Sequence, residues 1–379
     1  MYYTPVLEAK MAIDERLLKR EESAVYALRS LYRRFGYTQF KMSKFEEYDL
    51  YVRNKDFLVS DGIITFTDTN GRLKALKPDV TLSIINNSKD SDGVQKLYYN
   101  ENVYRISGTT HTYKEIMQTG LECIGHIGLF EICEVLSLAV KSLETVASDC
   151  ALELSHVGLI EAAFDELNLS KELRKAVTAF INAKNTDDLK ALCEQNGVEP
   201  KKLTVFTKNY PCPADAFNAV KAVYTSGAVL DALNEFETIF NVLSGLSNVV
   251  KLIVDFSCIG TMSYYSGVVF KGYIRDIPDA VLSGGQYDKL MKKLHRTAGA
   301  VGFAVYLDEL GRYDRNNAEF DIDTVLLYGD DISAAIKTSE MLSSGGNSVL
   351  VAKEAPKNLR YRQLLKITEK GLETVNGND

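Results

Sequence analysis

Apolar residues in the N-terminal part of the chain follow first a helical and then a strand-like spacing. The helical spacing runs from about residue 13 to residue 35, and Gly36 follows it as a stop signal. Its apolar positions are Ile13, Leu17, Val25, Leu28 and Leu31. Residues 64–76 alternate around Asn70 and Gly71, a pair that favours the type I′ turn of a β-hairpin. The pattern predicts an amphipathic helix followed by a hairpin.

The middle of the chain has two strand-rich regions with a helical region between them. Strand patterns occupy residues 96–107, 111–125, 249–257 and 267–274. A helical spacing begins at residue 129 and continues, with polar breaks, to about residue 244. A glycine-rich stretch and an apolar helix follow the last of these strands. Strands and helices grouped in this way predict an α+β fold, an antiparallel sheet flanked by helices.

These patterns also predict how the chain divides into domains. We expect a discontinuous core formed by residues 1–146 and 247–318, with a mainly helical insertion at 147–246. After a polar linker, residues 322–379 have the strand, helix, strand order of a small α/β unit. This last unit is short for an independent domain.

Charge and hydropathy exclude several classes of protein. The net charge of −7 argues against nucleic acid as the main partner, because binding it depends on clustered Lys and Arg. No stretch approaches the roughly 18 apolar residues that span a bilayer, and the first residues lack the apolar core of a signal peptide. We therefore expect a cytoplasmic protein with no membrane partner.

Cofactor and metal chemistry receive no support from the sequence. The 6 cysteines include no C-x-x-C pair, and with only 4 histidines neither a zinc site nor a disulfide framework is indicated. Phosphate-binding loops, dinucleotide fingerprints and the familiar hydrolase motifs are also absent from the sequence. We expect no cofactor and no metal.

Five segments stand out in chain order: residues 35–50, 76–81, 103–125, 257–267 and 284–310. Together they resemble the signature motifs of the histidyl-tRNA synthetase catalytic domain. Each segment is weak evidence alone, since a Tyr-Tyr or Gly-Gly pair is more often packing or a turn. The occurrence of all five segments in the order of the family's motifs argues against chance similarity. The resemblance covers about residues 1–315 and implies a class II aminoacyl-tRNA synthetase fold.

The residues that match this family are those around its substrate histidine. The motif KPDVT has Asp79 and Thr81 where the family contacts the amino group, and QTGLE has Gln118 and Glu122 on one strand face. Tyr265 matches a tyrosine that contacts a ring nitrogen, and GGQYD supplies another pocket tyrosine. The resemblance therefore implies these histidine-binding residues: Asp79, Thr81, Arg105, Gln118, Glu122, Tyr264, Tyr265 and Tyr287.

Most of these residues also have a purely structural interpretation. Asp79 and Thr81 suit the first turn of a helix, and the tyrosines suit core packing.

Arg105 suits a bidentate pair with the carboxylate of a bound amino acid. A buried, unpaired glutamate costs several kcal/mol, so Glu122 between apolar neighbours requires a partner. An imidazole N–H would serve.

The positions that depart from the family are those that contact ATP or the transition state. Gly260 stands at the position of the family's catalytic arginine, and Ser263 at that of its acidic neighbour. Ser107 replaces the glutamate of the second motif, Thr112 the loop arginine, and Glu309 the arginine of the third motif. Losing one transition-state donor typically costs about 10²–10³ in rate. We therefore expect no adenylate formation.

A pocket that keeps its histidine contacts and loses its ATP contacts resembles the regulatory subunit of ATP phosphoribosyltransferase. This resemblance implies a non-catalytic chain that is a homodimer within a hetero-oligomer, with the short-form catalytic subunit as partner and histidine as feedback effector. The short C-terminal unit and the acidic charge make tRNA an unexpected partner. Two alternatives stay open: a divergent histidyl-tRNA synthetase, and a scaffold paralogue that binds no ligand.

Overall fold

The computed structural model describes residues 18–54, 62–88, 93–106, 111–225, 227–259, 264–313, 320–369 and 371–375. The chain divides into two compact units, Met1–Tyr313 and Asp314–Asp379.

The first unit combines helices and strands throughout its length. Its helices are α1 (Arg20–Arg34), α2 (Tyr48–Val52), α3 (Thr81–Asn87), α4 (Leu129–Val146), α5 (Val157–Glu166), α6 (Lys171–Asn182), α7 (Thr186–Gln195), α8 (Pro200–Thr204), α9 (Pro213–Lys221), α10 (Ala228–Ser244), α11 (Asp288–Lys293) and α12 (Leu307–Tyr313). Its strands are β1 (Thr38–Gln39), β2 (Phe45–Glu47), β3 (Thr65–Thr67), β4 (Leu73–Leu76), β5 (Gln95–Ile106), β6 (Tyr113–Gly125), β7 (Cys150–His156), β8 (Val250–Val254), β9 (Val268–Ile274), β10 (Leu282–Gln286) and β11 (Gly299–Tyr306).

Eight strands form the central sheet in the order β1-β5-β6-β11-β10-β9-β7-β8. Neighbouring strands are antiparallel except at the two edges, where β1 and β8 run parallel to β5 and β7. The long pair β5 and β6 confirms the two strands predicted at 96–107 and 111–125. The predicted fold class, an antiparallel sheet flanked by helices, is confirmed.

The predicted hairpin forms part of a small sheet of order β2-β4-β3. At its turn, the Asp68 carboxylate accepts the backbone N–H groups of Asn70 and Arg72, each at 2.8 Å. Gly71 has φ +78°, which glycine adopts without steric cost. The predicted N-terminal helix is α1, which begins at Arg20, whereas residues 13–17 lie outside the described residues.

Helix α4 covers one face of the central sheet and forms the main core with it. Its 18 residues carry a continuous apolar stripe, which predicts an amphipathic helix. It packs against β7, β8, β9, β10 and β11. A Cβ on Gly272 of β9 would lie 2.8 Å from the Leu143 side chain, so Leu143 packs directly on that glycine. The Tyr32 hydroxyl of α1 bonds Ser142 of α4 at 3.0 Å.

The range predicted as a helical insertion, 147–246, begins with a strand of the central sheet. This strand, β7, pairs with β8 and β9. The helices α5 to α10 follow it, so the helical part of the range begins at Val157. Strand β11 was also missing from the sequence prediction, which has a helix after the glycine-rich stretch. The helix there is the short α11, and β11 follows it.

The second unit is a four-stranded sheet with one helix in the described residues. Its elements are β12 (Ile322–Leu327), α13 (Ile332–Ser343), β13 (Val349–Ala352), β14 (Tyr361–Thr368) and β15 (Gly371–Thr374). Strands β12 and β13 are parallel and joined through α13, which confirms the predicted strand, helix, strand unit. The hairpin of β14 and β15 adds two strands that the pattern did not reveal.

Leu143→Ala should lower the free energy of unfolding by about 2–5 kcal/mol, because a fully buried leucine on Gly272 leaves a cavity when truncated. Phe130→Ala on the same helix is the control. This side chain is 69% exposed, so we expect a change within about 0.5 kcal/mol. Urea denaturation measures both, and equal losses would contradict the assigned packing of α4.

Candidate functional site: a pocket on the central sheet

Small residues occupy neighbouring positions on the sheet face that points away from α4. Gly302 of β11 lies opposite Glu122 of β6, and Gly285 of β10 lies opposite Gly302. Ala304 pairs in the same way with Ser283. Successive side chains of a strand point to opposite faces, so these small residues leave an open space above the sheet.

A cavity of about 130 Å³ occupies this space. One water needs roughly 10–15 Å³ of such a cavity, so the cavity admits a molecule of roughly ten non-hydrogen atoms. All of the residues predicted from the sequence line it: Asp79, Thr81, Arg105, Gln118, Glu122, Tyr264, Tyr265 and Tyr287. The structure thus brings the predicted set together, and the role of these residues in binding stays a prediction.

Glu122 lines the cavity and is 1% exposed. The Thr81 hydroxyl donates to Glu122 Oε1 at 2.7 Å, and the Tyr287 hydroxyl donates to Glu122 Oε2. Burial raises the pKa of the Glu122 carboxyl to about 8, although these two hydrogen bonds oppose the shift. The nearby Asp79 carboxyl raises it further. Burial therefore favours the protonated form of Glu122.

Asp79 precedes α3, as its structural interpretation requires, and its position at the cavity also leaves a binding role open. Its Oδ1 accepts the Leu82 N–H at 2.7 Å, in the first turn of α3, and the residue also lines the cavity. Burial raises the pKa of the Asp79 carboxyl, whereas the Leu82 N–H and then the Arg105 charge lower it. Arg105 Nε donates to the Pro78 carbonyl at 2.9 Å, which fixes the guanidinium beside the cavity.

Three tyrosines form an aromatic group on one side of the cavity. The rings of Tyr264 and Tyr265 meet edge to face with centroids 4.8 Å apart, and Tyr264 lies 5.8 Å from Tyr287. Burial raises the pKa of each hydroxyl above its ordinary value, so all three are neutral donors at physiological pH. They pack against one another and line the cavity at once.

Sequence reasoning missed the small residues of the cavity floor. Gly302 is the most constrained of them, because a Cβ there would lie 1.8 Å from Glu122 Oε2. One sequence pattern could have revealed this floor: small residues recur at every second position in residues 283–285 and 302–304. Other residues that line the cavity and were not predicted are Val80, Tyr99, Ser283, Gly284, Gly285, Phe303, Ala304 and Tyr306.

Of the positions that depart from the synthetase motifs, Thr112 and Glu309 lie in the described part of the chain. The predictions for Gly260, Ser263 and Ser107 fall outside it. Thr112 directly precedes β6, and Glu309 lies in the first turn of α12. Glu309 is therefore carried by a helix.

Glu309 lines a second cavity, of about 460 Å³. Its other carboxylates are Glu115, Asp279 and Asp308, and Lys114 is the single cationic side chain among the described lining residues. Tyr306 lines both cavities, so they are neighbours. An excess of carboxylates repels a triphosphate, whose binding requires positive charge.

The described residues contain neither a group suited to a metal ion nor a helix suited to a membrane. In that part of the chain, no three His, Cys, Asp or Glu side chains are grouped closely enough to hold a metal ion. No helix among the same residues is both long and apolar enough to cross a membrane.

Comparison with known proteins identifies the family. The family model described as "Histidyl-tRNA synthetase" matches residues 12–310, most of the chain. The chain belongs to the histidyl-tRNA synthetase family. The match covers the whole central sheet and every residue of the cavity.

Individual relatives agree with this assignment and with the predicted resemblance to regulatory subunits. The ATP phosphoribosyltransferase regulatory subunit of Oceanobacillus iheyensis is 25% identical over 311 residues, which are 79% of this chain and 75% of that protein. Among solved structures, an "ATP phosphoribosyltransferase regulatory subunit/histidyl-tRNA synthetase" from Bacillus halodurans has a TM-score of 0.70 at 21% identity, covering 92% of this chain and 93% of the other.

A second solved structure has the same fold. It is a chain of the ATP phosphoribosyl transferase (HisG:HisZ) complex from Thermotoga maritima, with a TM-score of 0.62 at 20% identity. The alignment covers 76% of this chain and 97% of that one. Together these structures establish that the described sheet and helices form the class II synthetase fold.

Glu122→Gln should change how stability depends on pH. Glu122 has its pKa raised from 4.5 to about 8 in the folded chain, so its contribution to stability is complete below about pH 4.5 and is lost as the pH rises through 8. Glutamine does not ionise. We expect the wild type to lose about 1.4 kcal/mol per pH unit relative to the variant between about pH 5 and 8. Urea denaturation at several pH values measures this, and a constant difference would contradict the raised pKa.

Proposed function

We propose that this protein is the regulatory subunit of ATP phosphoribosyltransferase. In this proposal it is non-catalytic and activates the short-form catalytic subunit. It also binds histidine, which inhibits the complex by feedback in the first step of histidine biosynthesis. The chain acts as a cytoplasmic homodimer within a larger hetero-oligomer.

The observation that carries this proposal is the contrast between the two neighbouring cavities. The cavity around Glu122 is lined by all eight residues that the resemblance implies for histidine binding. The cavity beside it has Glu309 and three other carboxylates. Adenylate formation depends on neutralising triphosphate charge, so this combination suits a protein that binds the amino acid without activating it.

The chemistry of the first cavity matches each polar group of histidine. The ring nitrogens would contact Glu122 and Tyr265, and the ammonium group would lie near Asp79 and Thr81. Arg105 would pair with the carboxylate, as guanidinium groups commonly do. The names of the relatives support the same conclusion, because they combine this fold with a regulatory role in ATP phosphoribosyltransferase.

Feedback inhibition requires histidine to bind one state of the complex more tightly than another. A differential affinity of about 1–3 kcal/mol is typical of allosteric proteins. The pocket is formed by β5, β6, β10 and β11 together with the segments that carry Asp79 and Tyr264. A ligand that bridges these elements is able to favour the state in which they are drawn together.

Gly302→Ala should weaken histidine binding by about tenfold or more, equivalent to about 1.4 kcal/mol. The new Cβ would lie 1.8 Å from Glu122 Oε2 and 2.5 Å from the Leu121 carbonyl, which displaces the carboxyl from the cavity floor. Isothermal titration calorimetry with L-histidine measures the affinity, with the chain alone and mixed with the short catalytic subunit.

Gly329→Ala is the matched control, since a Cβ at that glycine meets nothing within 4 Å. We expect its affinity for histidine to equal that of the wild type. Thermal unfolding establishes that each variant is folded before titration. Absence of histidine binding by the wild type in both settings would refute the sensor role, and unchanged affinity in Gly302→Ala would assign histidine to another site.

A divergent histidyl-tRNA synthetase is the second candidate, favoured by the family match over residues 12–310. Histidine-dependent exchange of pyrophosphate into ATP separates the two. We expect no exchange above background, because Glu309 and its neighbouring carboxylates oppose the triphosphate. We also expect the chain to increase the activity of the short catalytic subunit. Measurable exchange without such activation would favour the synthetase.

A scaffold paralogue without a ligand is the remaining alternative. A specific ligand stabilises the native state by mass action, so histidine should raise the unfolding temperature of the wild type. Histidine that left this temperature unchanged in the presence of the catalytic subunit would support the scaffold.

A further inference from the structure

Glu122 is a buried acid whose direct partners are neutral. Its oxygens accept from the hydroxyls of Thr81 and Tyr287. Among the described residues that line the cavity, the one cationic side chain is Arg105, and its charge acts on Asp79. The positive charge in the cavity is therefore directed to a different carboxyl.

Among the described residues, the titratable and charged groups that line the cavity with Glu122 include no cation other than Arg105. They are Asp79 before α3, Arg105 and Tyr99 on β5, Tyr264 and Tyr265 before β9, Tyr287 after β10, and Tyr306 on β11. Asp79 adds a second acid, which raises the cost of a charge on Glu122. An unpaired buried carboxylate is unfavourable by several kcal/mol, and such a group takes up a proton instead.

We propose that Glu122 holds a proton in the empty pocket and shares it with an unprotonated ring nitrogen of the bound ligand. The pocket thereby selects azole rings that offer an acceptor nitrogen. This inference rests on the proposed function, because it takes histidine as the ligand. One O–H···N hydrogen bond forms, and its proton lies between the carboxyl oxygen and the ring nitrogen.

The proposal is compatible with the hydrogen bonds already present. A protonated carboxyl has one donor and keeps acceptor capacity on both oxygens. Thr81 and Tyr287 can therefore continue to donate to Glu122 while its own proton points to the ligand. Glu122 Oε2 lies directly above Gly302, where any Cβ would overlap it, and Glu122 lines the cavity there.

The shared proton makes affinity depend on pH in a particular way. The complex contains one proton between Glu122 and the ring. Before binding, both the imidazole and Glu122 carry this proton below about pH 6.5, where imidazole titrates. Neither carries it above about pH 8, where Glu122 titrates. Between these values Glu122 alone carries it, so the free partners already hold the number of protons that the complex needs. Affinity is therefore highest in this window. It falls by up to about tenfold per pH unit below it, where a proton must leave, and above it, where a proton must be supplied.

Isothermal titration calorimetry of the full chain with L-histidine from pH 6 to pH 9.5 tests the proposal. The catalytic subunit is included if binding requires it. For the wild type we expect a maximum near neutral pH and a decline above about pH 8. Glu122→Gln keeps an N–H donor that does not ionise, so the decline due to Glu122 should disappear. The ammonium group of histidine titrates equally in both experiments, and the difference between the two slopes isolates Glu122.

Glu115→Gln is the control variant, since this carboxyl lies outside the first cavity, at the second. Its pH profile should match that of the wild type. Titrating the wild type in buffers of different ionisation enthalpy also counts protons. We expect almost no proton exchange near pH 7.3 and, above about pH 9, uptake that approaches one proton beyond the uptake due to the ammonium group of histidine, which its own titration in water gives. This count needs no variant, so it applies even if Glu122→Gln does not fold.

The outcomes distinguish this inference from the proposed function. If the wild type binds no histidine, the proposed function fails and the inference fails with it. If histidine binds with the same slopes in the wild type and Glu122→Gln, or without proton uptake at high pH, the shared proton is refuted while histidine binding stands.

Discussion

The pairing of Glu122 with Gly302 across β6 and β11 is the constraint on which the pocket depends. Because residue 302 has no side chain, the carboxyl lies on the sheet where a Cβ would approach within 1.8 Å. From that position it is reached by Thr81 from α3 and by Tyr287 from the end of β10. Three separate parts of the chain are thereby joined through one buried acid.

The division of charge between the neighbouring cavities follows from the same sheet. Tyr306, at the end of β11, lines both, and α12 begins directly after it with Asp308 and Glu309. An amino acid requires a few directional contacts in a small space, whereas a nucleotide requires concentrated positive charge. The first cavity has the few polar groups that an amino acid requires, whereas the second has an excess of carboxylates. This contrast supports the proposed binding role without activation chemistry.

Local patterns predicted the elements whose spacing is unambiguous. The helix α4, the hairpin of β3 and β4 and the long pair β5 and β6 were all apparent, because each has a clear period or a turn signal. Strand β11 was missed because its sequence, GAVGFAVY, is almost continuously apolar, and such a run does not separate a buried strand from a helix. Strand β7 was missed because it is a short run beside long helices.

The sequence by itself was enough to predict the fold class and the residues around the pocket. Both follow from short motifs and from their order along the chain, which can be seen without a structure. Only the tertiary structure decided that Ser283, Gly285, Gly302 and Ala304 meet on one face, since strand register depends on pairing between distant segments. It also decided that the pKa of the Glu122 carboxyl is raised. Burial and the charge of neighbours set the pKa of a carboxyl, and neither is a property of the residue or of its adjacent sequence.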